Sequence, residues 1–349
     1  VAGILIGPFG PFHLIKDTSI LSNFSDIAIV LLLFGVGLTF PVSQLRNIGK
    51  LGAVIAIIEV LAMLGIGFGV GLAFGWSTID AMFLGAAISI SSTAIIVKVL
   101  EEMGVVEEPS SLLLIGVLVI EDLIAAILIS TLHSSVLSHT FNLEQMLWEI
   151  AKIGMFIGGT VTVGCFAMPK IFALLSNIPR YEFTILVALG LAFGLSFLSH
   201  NLGFSAATGA FLAGVILAGS RFSEDITSLI TPIREIFTAI FFVTIGALMD
   251  VNIITQYWVP IAVITLVTVI GKTASVYLGV RLFRLGPTNA LGIGLSMAQL
   301  GEFSFIVLMV GQDLGATSKF LFPIVGMVVV LTTIFAPFLI KRGTRMLVA

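Results

Sequence analysis

Eleven apolar segments follow one another along the chain, and each is long enough to cross a bilayer as a helix of about 20 residues. Hydrophobic residues make up 58% of the sequence and charged residues only 10%. Lipid leaves backbone groups without partners unless the segment is a helix or a closed barrel. We therefore predict an all-α polytopic membrane protein. The segments cover approximately residues 22–40, 51–74, 78–99, 110–132, 145–168, 182–199, 203–219, 233–249, 258–280, 288–310 and 320–340.

The first residues of the chain indicate that the natural protein is longer at its N-terminus. Val1–Gly7 has the composition of the end of a further span, so we expect the natural N-terminus to lie upstream of this sequence.

The single cysteine, Cys165, excludes an intrachain disulfide. A net charge of −3 gives no indication of a nucleic-acid partner.

The connections between the segments predict an orientation. When they are numbered alternately, one set contains twelve of the sixteen lysines and arginines, the other set contains three, and Lys272 lies inside a span. Cytoplasmic loops are enriched in these residues. We therefore expect the first set and the C-terminus to be cytoplasmic, in a multi-pass protein of the cell membrane.

Short sequences recur at a nearly constant offset. Ala2–Gly7 resembles Ala213–Gly219, and Leu84–Ser89 resembles Leu291–Ser296. An odd number of span-to-span steps separates the copies, which would place them in opposite orientations; inverted repeats are typical of secondary transporters. We predict a first repeat with its connecting helix over residues 1–168 and a second repeat over 169–349, with core ion-binding helices at 78–132 and 258–340.

Corresponding spans of the two repeats contain polar runs at mid-membrane depth. The first run is Ser89–Ala94 and the second is Ser296–Glu302. In inverted-repeat transporters the substrate lies where such paired helices are interrupted. Serines also simply permit close helix packing, and for the serines alone both interpretations stay open. The polar residues of interest are Ser91, Ser92 and Thr93 in the first run and Ser296, Gln299, Gly301 and Glu302 in the second.

Adjacent acids, Glu121 and Asp122, lie at the middle of the span 110–132. Charges at this depth are costly and usually mark an ion or proton path. Lys272, the only lysine at the middle of a span, needs a carboxylate, and we expect Glu121 to supply it and leave Asp122 free for a transported ion. Glu302 and Gln299 are expected to neutralise helix ends or to brace the interrupted segment.

A carboxylate at this depth suits exchange of a cation for a proton. Burial favours the protonated form and a nearby cation favours the ionised form, so the two compete for one site. Oxygen ligands suit alkali cations and protons. If only the loaded site can change sides, antiport results. Glu59 and Asp26 are interpreted as structural, and the four histidines (His13, His133, His139 and His200) as solvated loop residues.

These residues resemble the cation:proton antiporter-2 family, and in particular its Kef-type potassium/proton branch. The likeness lies in Ser91–Ala94, the pair Glu121-Asp122, Lys272 and Gly301–Phe303, in that order, and it extends over essentially the whole chain. The resemblance implies a fold of about 13 helices, of which the first and half of the second precede this sequence. It also implies that Asp122 binds ion and proton, with Thr93 and Ser92 at the crossing of two interrupted helices.

The resemblance further implies a homodimer and, in many members, a cytoplasmic nucleotide-binding regulatory domain after the last helix, which is absent from this sequence. Potassium is favoured as the cation on this ground alone, sodium being the alternative. We expect no cofactor, no metal beyond the transported cation and no enzymatic activity. A sodium-coupled symporter of an organic anion, a channel and an intramembrane protease are the other classes considered. The symporter is disfavoured because the sequence has only three tyrosines, and the channel because it has no TVGYG-like filter. The protease is disfavoured because no glycine-x-glycine-aspartate sequence occurs.

Overall fold

The computed structural model describes all residues except 1, 9, 11, 13, 15–17, 39–41, 106, 107, 139–142, 175–179, 203, 205, 221, 222, 249–254, 285 and 349. Across the described residues, all regular secondary structure is helical. The helices are α1 (Ala2–Ile6), α2 (Thr18–Leu38), α3 (Val42–Ala73), α4 (Thr78–Ile88), α5 (Thr93–Met103), α6 (Pro109–Ser138), α7 (Leu143–Leu174), α8 (Arg180–Asn201), α9 (Ala206–Ala218), α10 (Ser223–Leu248), α11 (Trp258–Leu282), α12 (Pro287–Ser296), α13 (Glu302–Asp313) and α14 (Leu321–Val348).

Each predicted span has a helical counterpart, which confirms the fold class. Spans 78–99 and 288–310 each correspond to two short helices, and the other nine correspond to single helices. Within the described part of the chain, six helices are long and apolar enough to cross a membrane by themselves, among them Leu51–Ala73 of α3 and Trp258–Leu282 of α11.

Both predicted interruptions are present. The first helix pair is broken between Ile88 and Thr93, and the second between Ser296 and Glu302. Neither break contains a proline, so the loss of helix is not forced by a missing backbone N–H group. The polar runs therefore mark the positions where the helical hydrogen bonds are replaced by contacts with other parts of the fold.

Several helices extend beyond the apolar spans. Helix α3 begins nine residues before the predicted span at 51, and α10 begins at Ser223, ten residues before the predicted start at 233. Pro232 lies within α10. Apolar patterning identified the segments that lipid requires to be apolar, but a helix continues wherever its polar ends can still form backbone hydrogen bonds. Most of the stretch between the predicted spans 203–219 and 233–249 is therefore helical.

The chain forms two compact units, and each draws on both halves of the sequence. One unit comprises residues 1–44 and 126–249, and the other comprises residues 45–125 and 250–349. These units are not the predicted repeats, whose boundary at 168/169 stays a prediction. We call the second unit the core unit because all of the predicted site residues lie in it.

Close helix contacts in the first unit are made at glycines. Gly37 of α2 lies against Gly214 of α9, and Gly7, directly after α1, lies against Ala247 of α10. A Cβ atom built on Gly37 would be 3.0 Å from the Gly214 Cα atom. Small residues let helices approach closely where lipid offers no hydrophobic driving force for association.

The core unit has an apolar core shared by six of its helices. Its buried members include Ile55 of α3, Leu118 of α6, Val276 of α11 and Ile293 of α12. Helices α5 and α14 also contribute to it. This core holds the long helices against both pairs of short helices.

Asp80 connects the start of α4 to the loop before α14. It is 2% exposed, and its carboxylate accepts hydrogen bonds from the Ser318 N–H group at 2.7 Å, the Ser318 hydroxyl at 2.8 Å and the Ser77 hydroxyl at 2.7 Å. The Ser77 hydroxyl in turn caps α4 by accepting from the Asp80 N–H group. Aromatic rings of Trp76 and Phe320 pack nearby in the same unit, with centroids 5.1 Å apart.

Replacing Asp80 with Asn should destabilise the core unit. An amide has one acceptor oxygen and would place N–H groups against serine donors, and hydrogen bonds to charged groups contribute about 1.5–3 kcal/mol each. We expect Asp80→Asn to lower the free energy of unfolding by about 2–3 kcal/mol, measured from melting curves in detergent. Glu102→Gln, at an exposed position, is the matched control and should change it by less than about 0.5 kcal/mol. Equal melting temperatures for both variants would contradict the role of Asp80.

Candidate functional site

The two interrupted connections touch each other directly. The Gly301 N–H group donates to the Ile90 carbonyl at 3.2 Å, and the Ser91 hydroxyl donates to the Met297 carbonyl at 3.3 Å. A Cβ atom at Gly301 would be 2.7 Å from the Ser91 carbonyl oxygen, closer than real Cβ contacts allow. Glycine at position 301 therefore permits the crossing, and the predicted crossing of interrupted helices is observed at these residues.

Other free backbone groups of the breaks are bound by side chains from neighbouring helices. The Ser304 hydroxyl donates to the Ala87 carbonyl at 2.6 Å, and Lys272 Nζ donates to the Ser89 carbonyl at 3.1 Å. The Thr332 hydroxyl accepts from the Leu300 N–H group at 3.3 Å. Unpaired backbone groups in lipid cost several kcal/mol each, so these contacts make the interruptions tolerable.

Glu121 is one of these binding side chains. It is fully buried, and its Oε2 atom accepts a hydrogen bond of 2.9 Å from the Ser91 N–H group. A serine, threonine or asparagine could accept the same bond at lower electrostatic cost, so the choice of an acid calls for a further explanation. That explanation involves the charges of two further buried residues, Glu59 and Lys272.

Asp122 occupies a different environment from its neighbour. It is 4% exposed, its Oδ2 atom accepts from the Thr93 hydroxyl at 3.1 Å, and its Oδ1 atom has no hydrogen-bond partner in the described part of the chain. Thr93 is the first residue of α5. A helix N-terminus favours a negative charge, so α5 stabilises the ionised carboxylate. Asp122 thus offers one buried oxygen atom to a further ligand.

Glu302 adds a second carboxylate on the same side. It is the first residue of α13, its Oε2 atom accepts from the Ser92 hydroxyl at 3.3 Å, and it lies close enough to Asp122 for their charges to repel. Thr93 and Glu302 are half-buried, whereas Ser92 is 2% exposed. The structure therefore brings Asp122, Thr93, Ser92 and Glu302 together, although the sequence alone assigned Glu302 only to a supporting role.

Lys272 is paired with a residue other than the predicted one. Its ammonium group forms an ion pair with Glu59 of α3, and both side chains are fully buried. The expected partner Glu121 instead binds the Ser91 N–H group, so the predicted Lys272–Glu121 pair was wrong. The signal that could have found Glu59 is the repeat, because α3 and α11 hold corresponding places in the two predicted copies.

The remaining predicted residues have smaller roles in the geometry. The Ser296 hydroxyl donates to the Gly292 carbonyl of its own helix at 2.9 Å. Gln299 is fully buried, and neither of its amide atoms has a partner among the described residues. No group of three or more His, Cys, Asp or Glu side chains that could hold a metal ion occurs in the described part of the chain.

The histidines and Asp26 lie away from this site. His133, expected to be solvated, is 9% exposed on α6, and its ring centroid is 6.3 Å from that of His200. That expectation was wrong for His133 because α6 continues past the predicted span and remains packed. His13 and His139 lie outside the described residues, as does the side chain of Asp26.

Comparisons with known proteins agree on the family and the fold. The family model described as "Sodium/hydrogen exchanger, transmembrane" matches residues 1–343. The chain is 28% identical to the high-affinity Na⁺/H⁺ antiporter NhaS3 of Synechocystis over 92% of this chain and 71% of that protein. It is 28% identical to the K⁺/H⁺ antiporter subunit KhtU of Bacillus subtilis over 99% of this chain and 86% of KhtU.

Two further comparisons concern length and fold. The chain is 31% identical to the putative cation/proton antiporter YbaL of Escherichia coli, and it spans 90% of its own length but 58% of YbaL. Its fold matches the sodium proton antiporter MjNhaP1 of Methanocaldococcus jannaschii with a TM-score of 0.78, at 18% identity, over 99% of this chain and 91% of that one. This likeness supports the predicted antiporter-like fold.

Removing Lys272 should strongly destabilise the core unit. Breaking a buried ion pair from one side costs about 3–5 kcal/mol because a buried charge is left alone. We expect Lys272→Ala to lower the unfolding free energy by that amount in detergent melts. The exposed Lys319→Ala serves as the control.

A double-mutant cycle identifies the partner of Lys272. Combining Lys272→Ala with Glu59→Ala should cost clearly less than the sum of the single changes, because the two residues in contact are removed together. Coupling of Lys272 to Glu121 in the equivalent cycle should be weaker. A larger coupling to Glu121 than to Glu59 would contradict the observed pairing.

Proposed function

The chain belongs to the sodium/hydrogen exchanger family, and on that premise we propose that it exchanges a monovalent cation for protons by alternating access, with cation and proton competing for Asp122. The family is one of transporters and not a class of enzymes, and the chain is a multi-pass membrane protein. The relatives' names support cation/proton antiport as the activity. The residue assignment and the ion are our proposals.

One observation supports Asp122 as the shared site. Its buried Oδ1 atom has no partner within the described ranges, while its Oδ2 atom is oriented by the Thr93 hydroxyl, beside the Glu302 carboxylate and the Ser92 hydroxyl. A buried acceptor normally has a partner, so a free carboxylate oxygen beside interrupted helices is suited to an exchangeable ligand. Glu121 Oε1 and Glu59 Oε2 also lack partners among the described residues, but both of these side chains are fully buried, whereas Asp122 is 4% exposed.

The exchange follows from charge conservation at this carboxylate. A bound cation neutralises the charge of ionised Asp122, and a bound proton does the same, so the site has the same net charge in its two loaded states. The empty ionised site carries one more negative charge, which makes its passage through the membrane interior costly. If the site changes sides only in its two loaded states, each cation moved in one direction is matched by one proton in the other.

Glu302, Ser92 and Thr93 complete the proposed cation site. All three offer oxygen atoms beside Asp122, and hydroxyl and carboxylate oxygens suit hard alkali cations. The position of Glu302 at the first turn of α13 lets the helix dipole stabilise its charge when the cation is absent. We therefore propose that Glu302 helps to bind the cation as well as stabilising the end of its helix.

Potassium is our proposed cation, and sodium is the second candidate. The Kef-type motifs favour potassium, whereas relatives named for sodium and for potassium match the chain at the same 28% identity. Both ions use the same oxygen ligands, so selectivity depends on the size of the site and the number of ligands. Proton flux driven by potassium and by sodium in turn distinguishes the two candidates.

Location and assembly follow the same resemblance. We propose that the protein lies in the cell membrane with a cytoplasmic C-terminus, as the distribution of Lys and Arg predicts. We also propose that it acts as a homodimer, and that a cytoplasmic nucleotide-binding domain is its regulatory partner.

Asp122→Asn should abolish exchange while leaving the fold intact. An amide is similar in shape to the carboxylate but neither takes up a proton nor carries the charge that binds a cation. The measurement is proton flux in proteoliposomes with a pH-sensitive dye, with potassium or sodium added and the voltage clamped by an ionophore. Glu108→Gln, an exposed acid just before α6, should exchange like the parent. Cation-driven proton flux in Asp122→Asn at the parent rate would contradict the assignment.

Glu302→Gln should weaken cation binding more than it changes maximal rate. Loss of one charged ligand should raise the KM for the cation roughly tenfold, which corresponds to about 1.4 kcal/mol of binding free energy. The measurement is the same flux assay at graded cation concentrations, together with a melting curve. An unchanged KM with a lower melting temperature would restrict Glu302 to bracing α13.

A further inference from the structure

Glu59, Glu121 and Lys272 form a buried group separate from the contacts of Asp122. Each of the three side chains is fully buried, and they come from α3, α6 and α11 respectively. Glu59 Oε1 accepts from the Lys272 ammonium, and Glu121 Oε2 accepts from the Ser91 N–H group at 2.9 Å. We call these three residues the carboxyl–lysine triad.

Two carboxylate oxygens of the triad have no donor. Glu59 Oε2 and Glu121 Oε1 are buried and have no hydrogen-bond partner among the residues that the structure describes. The Glu59 and Glu121 carboxyl groups are close enough for their charges to interact. Two ionised carboxylates are acceptors only, so no hydrogen bond can form between them unless one holds a proton.

The charge of the triad leads to the same conclusion. Two ionised carboxylates and one ammonium have a net charge of −1, with no exposed surface through which water could screen it. Asp122, whose charge interacts with those of Glu121 and Glu302, would add further negative charge. Two carboxylates that share a site disfavour simultaneous ionisation. One bound proton makes the triad neutral.

We propose that Glu59 and Glu121 share one resident proton, held between Glu59 Oε2 and Glu121 Oε1. The proton comes from solvent and forms an O–H bond to one carboxyl group, which donates to the other. All four oxygen atoms are then satisfied, two by Lys272 and Ser91 and two by the shared proton. This explains why an acid at position 121 binds the Ser91 N–H group: the proton removes its charge.

The resident proton is distinct from the transported one. Lys272 and Ser91 each hold one oxygen atom of a triad carboxyl group, and the shared proton holds the other two, whereas Asp122 Oδ1 has no such partner. For the exchange, and resting on the proposed function, this leaves Asp122 as the residue whose proton cycles. The existence of the resident proton itself does not depend on which cation is carried.

Infrared spectroscopy can detect this proton directly. A protonated carboxyl group has a C=O stretching band that is separate from the carboxylate bands and shifts in D₂O. In Asp122→Asn protein reconstituted in lipid at neutral pH, we expect this band to remain, because the triad still holds its proton. It should also remain in the matched control Asp122→Asn/Glu302→Gln. It should be lost when Glu59→Gln or Glu121→Gln is added to Asp122→Asn.

Two outcomes would overturn the proposal. One is the absence of the band in Asp122→Asn at neutral pH, which would mean that both acids are ionised. The other is a band that survives both Glu59→Gln and Glu121→Gln, which would place the proton elsewhere. Neither outcome depends on transport, so a failure of the exchange proposal would be recognised separately in the flux assay.

Melting temperatures supply a second test that guards against misfolded variants. A glutamine amide can donate where the shared proton lies, so Glu59→Gln and Glu121→Gln should each melt close to the parent. The double variant Glu59→Gln/Glu121→Gln leaves the Lys272 ammonium without a carboxylate and should melt at a clearly lower temperature. Single variants that melt well above the parent would indicate relief of repulsion between two ionised acids and would contradict the resident proton. Single variants as unstable as the double variant would contradict it too.

Discussion

The core unit depends on one constraint: the backbone groups that are freed at two broken helices need hydrogen-bond partners, because the protein spans a membrane. Each break leaves N–H and carbonyl groups that helical bonding would have satisfied. The contact of Gly301 with Ile90, the hydroxyl groups of Ser304 and Thr332, and the ammonium of Lys272 satisfy several of them. The polar side chains at the two breaks are thus first of all partners of the backbone.

This requirement explains the unequal roles of the adjacent acids. Successive residues of a helix point about 100° apart. Glu121 of α6 therefore contacts Ser91, whereas Asp122 contacts Thr93. Glu121 stabilises the break, and in our proposal it shares a proton that neutralises it. Asp122 retains a free oxygen atom and is the proposed site of exchange. Helix α6 therefore provides both Glu121, which stabilises the break, and Asp122, the proposed site of exchange.

The breaks could be predicted from the sequence, but the partner of Lys272 could not. The breaks at 89–92 and 297–301 were predicted because hydroxyl, glycine and acidic residues interrupt otherwise apolar spans. The partner of Lys272 was assigned wrongly because both Glu59 and Glu121 lie within apolar spans, and a position within a span does not say which helix faces α11. Helix α3 supplies Glu59 at that position through its rotation and packing, which depend on contacts such as Gly67 against Gly85.

The sequence by itself determined the membrane class, the succession of spans, the two interruptions and the set of deep charges, because lipid imposes apolar length and makes every buried charge conspicuous. Only the tertiary structure decided which of these charges meet. Lys272 and Glu59 are 213 positions apart, and Ser92 and Glu302 are 210 apart. Contacts at such separations depend on the angle and rotation of packed helices, which are set by the sum of many side-chain contacts and have no local signature in the chain.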